Sequence, residues 1–298
     1  MAYLKIIRPF NLLMIFMTQG VLHISFNYLQ RASGSIIHTD FIVLTLSTLF
    51  IAAGGYVIND FFDIKADRIN KPDELYITKD ISKSKALLFY CCLTFVGISL
   101  GVLLCYSVGV PVYSLLFFAI AILLYIYSFF LQRIALVGNL VISILIGFSL
   151  YIIFLIETIK TDMSEIAAAF TFMVVLAIFI NFIREIIKDI QDMKGDYSMG
   201  YQTLPILLGI KRTLTICTFI CLALVFNSAL FAFISFRGCY IAMALILFGV
   251  SLPLAYLSSL CFNATTASEL KKLARLLKLT MLMGIILIPF IIYFYTNA

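Results

Sequence analysis

The sequence predicts an all-α membrane protein, a bundle of about nine transmembrane helices with a cytoplasmic cap over a central cavity. Two observations carry this prediction. Hydrophobic residues make up 63% of the chain and charged residues 12%, whereas a soluble domain is about one quarter charged. Nine segments also contain the roughly 20 mostly apolar residues that a spanning helix needs. Because little sequence lies outside these segments, residues 1–298 are expected to form one membrane domain.

The nine predicted spans follow one another along the whole chain. They cover residues 10–29, 41–59, 86–106, 111–131, 137–157, 166–187, 213–234, 239–261 and 277–296. Short turns join the third span to the fourth and the fourth to the fifth, so these spans are expected to be antiparallel neighbours. The segment between the last two spans is basic and is predicted to be a loop. Gly54 and Gly55 are expected to permit close helix packing.

Lysine and arginine divide unevenly between the two sets of loops. One set, which includes the N-terminus, holds 18 of them, and the other holds only Arg31, Lys160 and Arg237. Because positively charged loops stay on the cytoplasmic side, the sequence predicts a multi-pass protein of the cell membrane with a cytoplasmic N-terminus. The net charge of +6 follows from this asymmetry beside anionic lipid, and it requires no nucleic-acid partner. The seven cysteines are expected to be free thiols.

Two aspartate motifs of identical spacing follow the second and sixth spans, both on the predicted cytoplasmic side. Each reads D-x-x-D-x-x-x-D, and on a helix this spacing places all three carboxylates on one face. Aspartates near a membrane are costly unless they serve a site, so two copies on one side indicate function. The motifs consist of Asp60, Asp63 and Asp67, and of Asp189, Asp192 and Asp196.

Clustered carboxylates repel one another unless a cation lies between them. Mg²⁺ suits the role because it binds one or two carboxylates together with water and phosphate oxygens. Such a site stabilises a departing diphosphate, so that an allylic C–O bond can ionise, and the apolar bundle would hold an isoprenoid tail. Basic residues that would complete the charge balance are Lys65, Arg68, Lys71, Arg133, Arg184 and Lys188.

The residues around both motifs resemble the UbiA superfamily of intramembrane prenyltransferases. The run Asn59-Asp60-x-x-Asp63-x-x-x-Asp67, continued by Arg68 to Pro72, is similar to its first signature, and the second motif is similar to its second. The start, Arg8-Pro9-x-Asn11, is similar to its usual opening. The resemblance implies Mg²⁺-dependent transfer of a prenyl group, geranylgeranyl or longer, from a polyprenyl diphosphate to an acceptor. The implied roles are catalysis and Mg²⁺ binding for the six aspartates, diphosphate binding for Asn59, Arg68, Lys71, Arg133 and Lys188, and acceptor binding for Arg8, Asn11 and Arg184.

The residues after the second motif bear on the acceptor. The run from Arg184 to Pro205 is similar to the branch that alkylates geranylgeranylglyceryl phosphate, the digeranylgeranylglyceryl phosphate synthases, which gives a glycerol-phosphate acceptor first place. An aromatic acceptor of quinone biosynthesis is the close alternative. The chain departs from the family twice. It has Asp73-Glu74-Leu75 where Asp-Arg-Pro is frequent, with Lys79 as the candidate replacement, and Leu131-Gln132-Arg133 where Leu-Lys-Arg is frequent.

A Mg²⁺ channel or transporter is the alternative from another functional class, because rings of acidic residues can select cations. A channel is expected to carry polar residues through the bilayer on several helices. Here the predicted exterior halves of the spans are nearly free of charge, and both motifs lie on one side. This one-sided arrangement favours an enzyme.

Overall fold

The computed structural model describes residues 1–29, 38–159 and 163–297, so Arg31 and Lys160 lie outside it. Within these residues the chain is helical and has no strand, only two isolated β-bridges. The α-helices are α1 (Ala2–Ile6), α2 (Pro9–Leu29), α3 (His38–Phe62), α4 (Ile64–Asn70), α5 (Lys83–Ser107), α6 (Ser114–Phe129), α7 (Val137–Glu157), α8 (Ser164–Ser198), α9 (Leu204–Leu208), α10 (Ile210–Ser235), α11 (Tyr240–Ile246), α12 (Leu252–Asn263) and α13 (Ala267–Asn297).

In the part of the chain that the structure describes, nine helical segments are long and apolar enough to cross a membrane. Each overlaps one predicted span, which confirms the prediction of an all-α, multi-pass membrane protein. The fourth segment joins a short 3₁₀ turn to α6. The eighth joins α11 to α12 through the π-helical turn Leu247–Ser251, which ends two residues before Pro253. A π turn next to a proline accommodates the missing backbone N–H without ending the helix.

Two helices extend well beyond the spans predicted from hydropathy. Helix α8 continues to Ser198 and therefore contains the whole second aspartate motif. Helix α13 begins at Ala267, so the prediction of a basic loop before residue 277 was wrong. Its start is fixed by a capping box, in which Glu269 accepts a hydrogen bond from the Thr266 backbone N–H (2.9 Å) and the Thr266 hydroxyl accepts one from the Glu269 N–H (3.3 Å). Hydropathy fails at such helix ends because their first or last turns are polar.

The first aspartate motif does not lie on one regular helix. Helix α3 ends at Phe62, and α4 begins at Ile64. Asp63 between them has φ −88° and ψ 5°, outside the α-helical values. The backbone hydrogen bonds nevertheless continue, from Asp63 N–H to Asn59 C=O (3.0 Å) and from Asp67 N–H to Asp63 C=O (2.8 Å). The helix is therefore distorted at Asp63, and only the second motif has the uninterrupted helical face that the spacing predicts.

The Cα positions divide the chain into two compact units. Unit 1 comprises Met1–Gln19, Ile36–Leu145 and Lys194–Thr203, and unit 2 comprises Gly20–Ser35, Ile146–Met193 and Leu204–Ala298, counting only described residues. The first motif lies in unit 1. Asp189 and Asp192 lie in unit 2, whereas Asp196 lies in unit 1, because the last turn of α8 packs there.

Unit 1 is built on a close approach between α3 and α5. A Cβ atom on Gly97 would lie 2.9 Å from the Ile51 backbone nitrogen, and the buried Ser47 hydroxyl donates a hydrogen bond to the Gly97 carbonyl (2.7 Å). Gly54 and Gly55 meet the side chains of Thr94 and Leu124. Both glycines therefore serve close helix packing, as predicted.

The segment that follows the first motif, residues 71–82, is anchored to the core of unit 1. It contains only a 3₁₀ turn, Pro72–Glu74, and yet Leu75, Ile77 and Ile81 are buried. They pack in one apolar cluster with residues of α1 and α3, including Ile6 and Val57. Burial of each such side chain stabilises the fold by about 1.5–3 kcal/mol, so this loop is held in place beside the motif.

Unit 2 encloses an aromatic cluster and a buried polar pair. Phe154 stacks on Phe170 with ring centroids 4.6 Å apart, and Phe26 meets Phe170 edge-on at 5.7 Å. His23 Nδ1 lies 3.5 Å from Glu157 Oε1, and both side chains are buried. A carboxylate inside an apolar bundle requires such a partner.

We expect Gly97→Ala to lower the melting temperature, because the added methyl forces α3 and α5 apart at backbone level. Overpacking of this kind costs about 1–3 kcal/mol. Thermal unfolding in detergent, followed by circular dichroism, measures the effect. Gly20→Ala is the matched control, since nothing lies within 4 Å of its Cβ position. Equal melting temperatures for the two variants would contradict the close approach.

Candidate active site

Arg8 compensates the first carboxylate of the first motif. It lies between α1 and α2 with φ 53°, a left-handed conformation that costs about 1 kcal/mol or more in a non-glycine residue. Its Nη2 donates to Asp60 Oδ1 at 2.6 Å and to Asn59 Oδ1 at 3.4 Å. The guanidinium also lies over the Tyr56 ring, 5.1 Å from its centroid. A residue predicted to bind the acceptor is therefore paired with the motif itself.

Asp63 is held by two neutral amides. Asn59 Nδ2 donates to Asp63 Oδ2 at 3.0 Å, and Gln132 Nε2 donates to Asp63 Oδ1 at 2.8 Å. The two amides are joined, because Asn59 Nδ2 also donates to Gln132 Oε1 at 2.7 Å. Asn59 lies one helical turn before Asp63 in α3, and Gln132 lies in the 3₁₀ turn Leu131–Arg133 after α6. Both carboxylate oxygens of Asp63 thus accept a hydrogen bond from a neutral amide.

Two basic residues just before the second motif share a carboxylate that was not among the predicted site residues. Arg184 Nη1 donates to Glu185 Oε1 at 2.6 Å, and Lys188 Nζ lies 3.6 Å from Glu185 Oε2. Glu185 is only 7% exposed. Its position four residues before Asp189, one helical turn away, is the signal that could have identified it.

The end of α8 packs against α4 within unit 1. The Gly195 backbone N–H donates to Asn70 Oδ1 at 2.8 Å, and a Cβ atom on Gly195 would collide with the Asn70 side chain and approach the Ala66 carbonyl to 2.7 Å. Glycine at position 195 is what permits this approach. The last turn of the second motif, which carries Asp196, is thereby fixed against the helix that carries Asp67.

Arg133 and Tyr201 connect the turn after α6 to the segment after α8. The Gln202 backbone N–H donates to the Arg133 carbonyl at 2.9 Å. The Arg133 guanidinium lies 5.2 Å from the Tyr201 ring centroid and 5.8 Å from that of Phe129. Its guanidinium therefore lies within cation–π distance of two aromatic rings.

The electrostatic surroundings of Tyr201 include both motifs. The side chain is 8% exposed, and burial raises the pKa of its phenol. The Asp63 and Asp196 carboxylates raise this pKa further, whereas the Arg133 guanidinium opposes them. The pKa of this tyrosine in unit 1 is thus raised by one carboxylate from each aspartate motif.

The other predicted site residues lie on or next to α4, at the start of α2 and in the segment 71–82. Arg68 and Lys65 are exposed on α4, and Lys71 is partly buried at the end of that helix. The Asn11 backbone N–H donates to the Arg8 carbonyl at 2.9 Å. Lys79, the candidate replacement for the missing family arginine, donates from Nζ to the Pro72 carbonyl at 2.5 Å.

The carboxylates fit Mg²⁺ by donor chemistry, although not as a closed cage. Across the described residues, no group of three or more His, Cys, Asp or Glu side chains is arranged to hold a metal ion by itself. Asp60 and Asp63 supply hard oxygen donors, and Asn59 and Gln132 orient Asp63 as supporting hydrogen-bond partners do in metal sites. Mg²⁺ prefers one or two carboxylates and takes its other oxygens from water and phosphate. Metal binding by all six aspartates stays a prediction.

Comparison with known proteins gives the family. The model of the UbiA prenyltransferase family matches residues 21–282. This chain belongs to that family. The prediction of a membrane-bound prenyltransferase is therefore confirmed at the level of the family.

Curated relatives of this UbiA family member cover most of its length. It is 30% identical over 230 residues to the digeranylgeranylglyceryl phosphate synthase of Methanopyrus kandleri, with 75% of each chain covered. It is 29% identical over 294 residues to the protein of the same name from Korarchaeum cryptofilum, with 97% of each covered.

Two solved structures share the UbiA fold of this chain. One, of digeranylgeranylglyceryl phosphate synthase, has a TM-score of 0.67 at 24% identity and covers 100% of this chain and 98% of its own. The other is a UbiA homologue from Archaeoglobus fulgidus bound to GPP and Mg²⁺. It has a TM-score of 0.64 at 16% identity and covers 95% of this chain and 98% of its own. Both confirm the predicted all-α membrane bundle, whereas the cytoplasmic cap over a central cavity stays a prediction.

We expect the Tyr201 phenol to make folding stability depend on alkaline pH. Because its folded pKa lies above the usual value of about 10, the folded state keeps a proton that the unfolded state has lost. Stability from this group therefore falls as the pH rises from the unfolded pKa towards the folded pKa. Melting temperatures of the native protein and of Tyr201→Phe, measured across this range, should show a smaller alkaline loss in the variant. Tyr197→Phe, at an exposed position, is the control. Identical profiles for the native protein and Tyr201→Phe would refute the interpretation.

Proposed function

We propose that this chain is a Mg²⁺-dependent digeranylgeranylglyceryl phosphate synthase. It would transfer a geranylgeranyl group from its diphosphate to (S)-3-O-geranylgeranylglyceryl phosphate in membrane lipid synthesis. Relatives with that name, aligned over as much as 97% of the chain, support the choice of acceptor. The single structural observation behind prenyl transfer is that, within unit 1, the end of the second motif packs against α4 of the first, where the Gly195 N–H donates to Asn70 Oδ1 at 2.8 Å.

Different side chains have different proposed roles in activating the prenyl diphosphate. When bound, Mg²⁺ neutralises charge on the diphosphate. Asp60 and Asp63, with Asp67, Asp189, Asp192 and Asp196, are its proposed ligands, directly or through water. Asn59 and Gln132 orient Asp63. Arg133, whose guanidinium lies near the Phe129 and Tyr201 rings, is proposed to bind diphosphate oxygens. Arg68, Lys71 and Lys188 are proposed for the same task.

The bond changes require charge stabilisation at the leaving group above all. The allylic C–O bond breaks with its electron pair going to the diphosphate, and the acceptor hydroxyl oxygen forms the new C–O bond and gives its proton to the released diphosphate. Cationic side chains placed where negative charge develops lower this barrier. Arg8, Asn11 and Arg184 are proposed to bind the acceptor. A guanidinium has five N–H donors, which suits phosphate oxygens.

The proposed setting is the cytoplasmic face of the cell membrane. The uneven distribution of lysine and arginine supports a cytoplasmic N-terminus and cytoplasmic aspartate motifs. Residues 1–298 are proposed to work as one catalytic domain, and the donor chain is proposed to be geranylgeranyl or longer. An aromatic acceptor of quinone synthesis is the second candidate, supported only by the similarity of the family's motifs.

An acceptor screen tests the choice. Purified protein with geranylgeranyl diphosphate and Mg²⁺ should convert geranylgeranylglyceryl phosphate, with the product identified by its mass, and should leave 4-hydroxybenzoate and homogentisate unchanged. Because a buried polar site discriminates strongly against an acceptor that leaves its groups unpaired, we expect a preference of roughly 10⁴-fold. Prenylation of an aromatic acceptor in preference would move the assignment to the quinone branch. Mg²⁺ flux through protein-containing liposomes without prenyl diphosphate would favour a channel.

We expect Asp63→Ala and Asp192→Ala each to reduce turnover by roughly a hundredfold or more, since each removes negative charge that holds Mg²⁺ on the diphosphate. Diphosphate release measures the loss, and added Mg²⁺ should not restore it. Asp40→Ala is the matched control, because Asp40 in the first turn of α3 accepts a hydrogen bond from Ser107 (3.0 Å) and has no proposed role in catalysis. Near-normal turnover in either motif variant would disprove a mechanism that uses both motifs.

A further inference from the structure

Gln132 is at the centre of a polar network that joins α3 to the turn after α6. The turn Leu131–Arg133 follows directly on α6, whose last residue is Phe129. The Gln132 amide makes three hydrogen bonds there. Its Nε2 donates to Asp63 Oδ1 and to the Ser128 carbonyl, both at 2.8 Å, and its Oε1 accepts from Asn59 Nδ2 at 2.7 Å.

This network fixes the plane of one carboxylate. Asn59 Nδ2 bonds Asp63 Oδ2 at 3.0 Å while Gln132 Nε2 bonds Oδ1. Each oxygen of the Asp63 carboxylate therefore has one neutral donor, and the two donors are bonded to each other. The Ser128 carbonyl on α6 orients the glutamine amide in turn. A carboxylate oxygen accepts more than one bond, so a cation can still be coordinated.

A glutamine performs this task in a way that a lysine at the same position could not. A lysine has only donors and carries a charge, so it could not accept the Asn59 hydrogen bond and would repel a cation bound to Asp63. The glutamine both donates and accepts, and as a neutral group it adds no positive charge beside Asp63. The neighbouring residue Arg133 carries a cation, which lies near the rings of Phe129 and Tyr201.

We propose that Gln132 is a positioning residue that holds the Asp63 carboxylate, together with Asn59, in the orientation that binds Mg²⁺–diphosphate. It acts through Asp63 rather than by contact with substrate. The proposal rests on the proposed function and gives Gln132 a specific role within it.

Mg²⁺ binding separates this role from a merely structural one. Purified protein in detergent is titrated with Mg²⁺ in the presence of inorganic diphosphate by calorimetry, and the Mg²⁺ half-saturation of turnover is measured in parallel. Gln132→Met keeps the size of the side chain and removes both polar atoms. Since a hydrogen bond to a charged group contributes about 1.5 kcal/mol or more, we expect Mg²⁺ affinity to fall roughly tenfold. Gln132→Lys should reduce it at least as far.

Three further variants complete the test. Gln19→Met is the matched control, because Gln19 is also a buried glutamine in unit 1, where its Nε2 donates to Thr48 (3.3 Å) away from the motifs. It should leave Mg²⁺ affinity unchanged. Asn59→Ala combined with Gln132→Met should cost less than the sum of the two single changes, since both act on Asp63. Gln132→Asn, which keeps the amide but shortens the chain, should also weaken binding and replaces Gln132→Met if that variant does not fold.

The measurements test the role of Gln132 separately from the proposed function. Mg²⁺ affinities of Gln132→Met and Gln132→Lys within about twofold of the native value would overturn the role of Gln132, as would a native protein that binds no Mg²⁺ with diphosphate. If the native protein binds Mg²⁺–diphosphate and transfers no prenyl group to any acceptor, the proposed function fails. A loss of Mg²⁺ affinity at position 132 would still support the positioning role in that case.

Discussion

The structure depends on the compensation of carboxylates at the end of an apolar helix. Asp60 and Asp63 follow directly on the most buried part of α3, where an uncompensated charge is expensive. The two aspartates are held by different partners. Asp60 accepts a hydrogen bond from the guanidinium of Arg8, whereas Asp63 accepts hydrogen bonds from the amides of Asn59 and Gln132. These contacts form where the backbone is irregular, with a left-handed conformation at Arg8 and a distorted helix at Asp63.

The surrounding elements hold these partners in position. The loop after the first motif buries Leu75, Ile77 and Ile81, so α4 is anchored at its far end. The last turn of α8 reaches α4 because residue 195 is a glycine that can meet Asn70. The following segment then pairs with the turn that carries Gln132 and Arg133. Three separate stretches of unit 1 thus converge around carboxylates from both motifs, an arrangement suited to a substrate that brings its own phosphate oxygens.

Hydropathy and charge predicted the spans well and their ends poorly. All nine segments were found because each requires a long apolar run, a property local to the sequence. The start of α13 was missed by ten residues, since a capping box and basic first turns make a good helix with low hydropathy. The end of α8 was missed because its last turns carry aspartates and lysines, which lower the hydropathy. The role of Glu185 was also missed, because a buried carboxylate shared by Arg184 and Lys188 leaves no pattern beyond helical spacing.

The sequence by itself determined the class of protein and the chemistry. Composition gave a membrane bundle, and the repeated aspartate spacing with its flanking residues gave a prenyltransferase family, because both signals are carried by contiguous residues. Only the tertiary structure decided the partners of each aspartate. Asn59 and Gln132 are 73 residues apart, and Arg8 is 52 residues from Asp60, yet each pair is joined by a hydrogen bond. Such contacts depend on how α2, α3 and α6 pack, and packing is a property of the whole fold that no local pattern encodes.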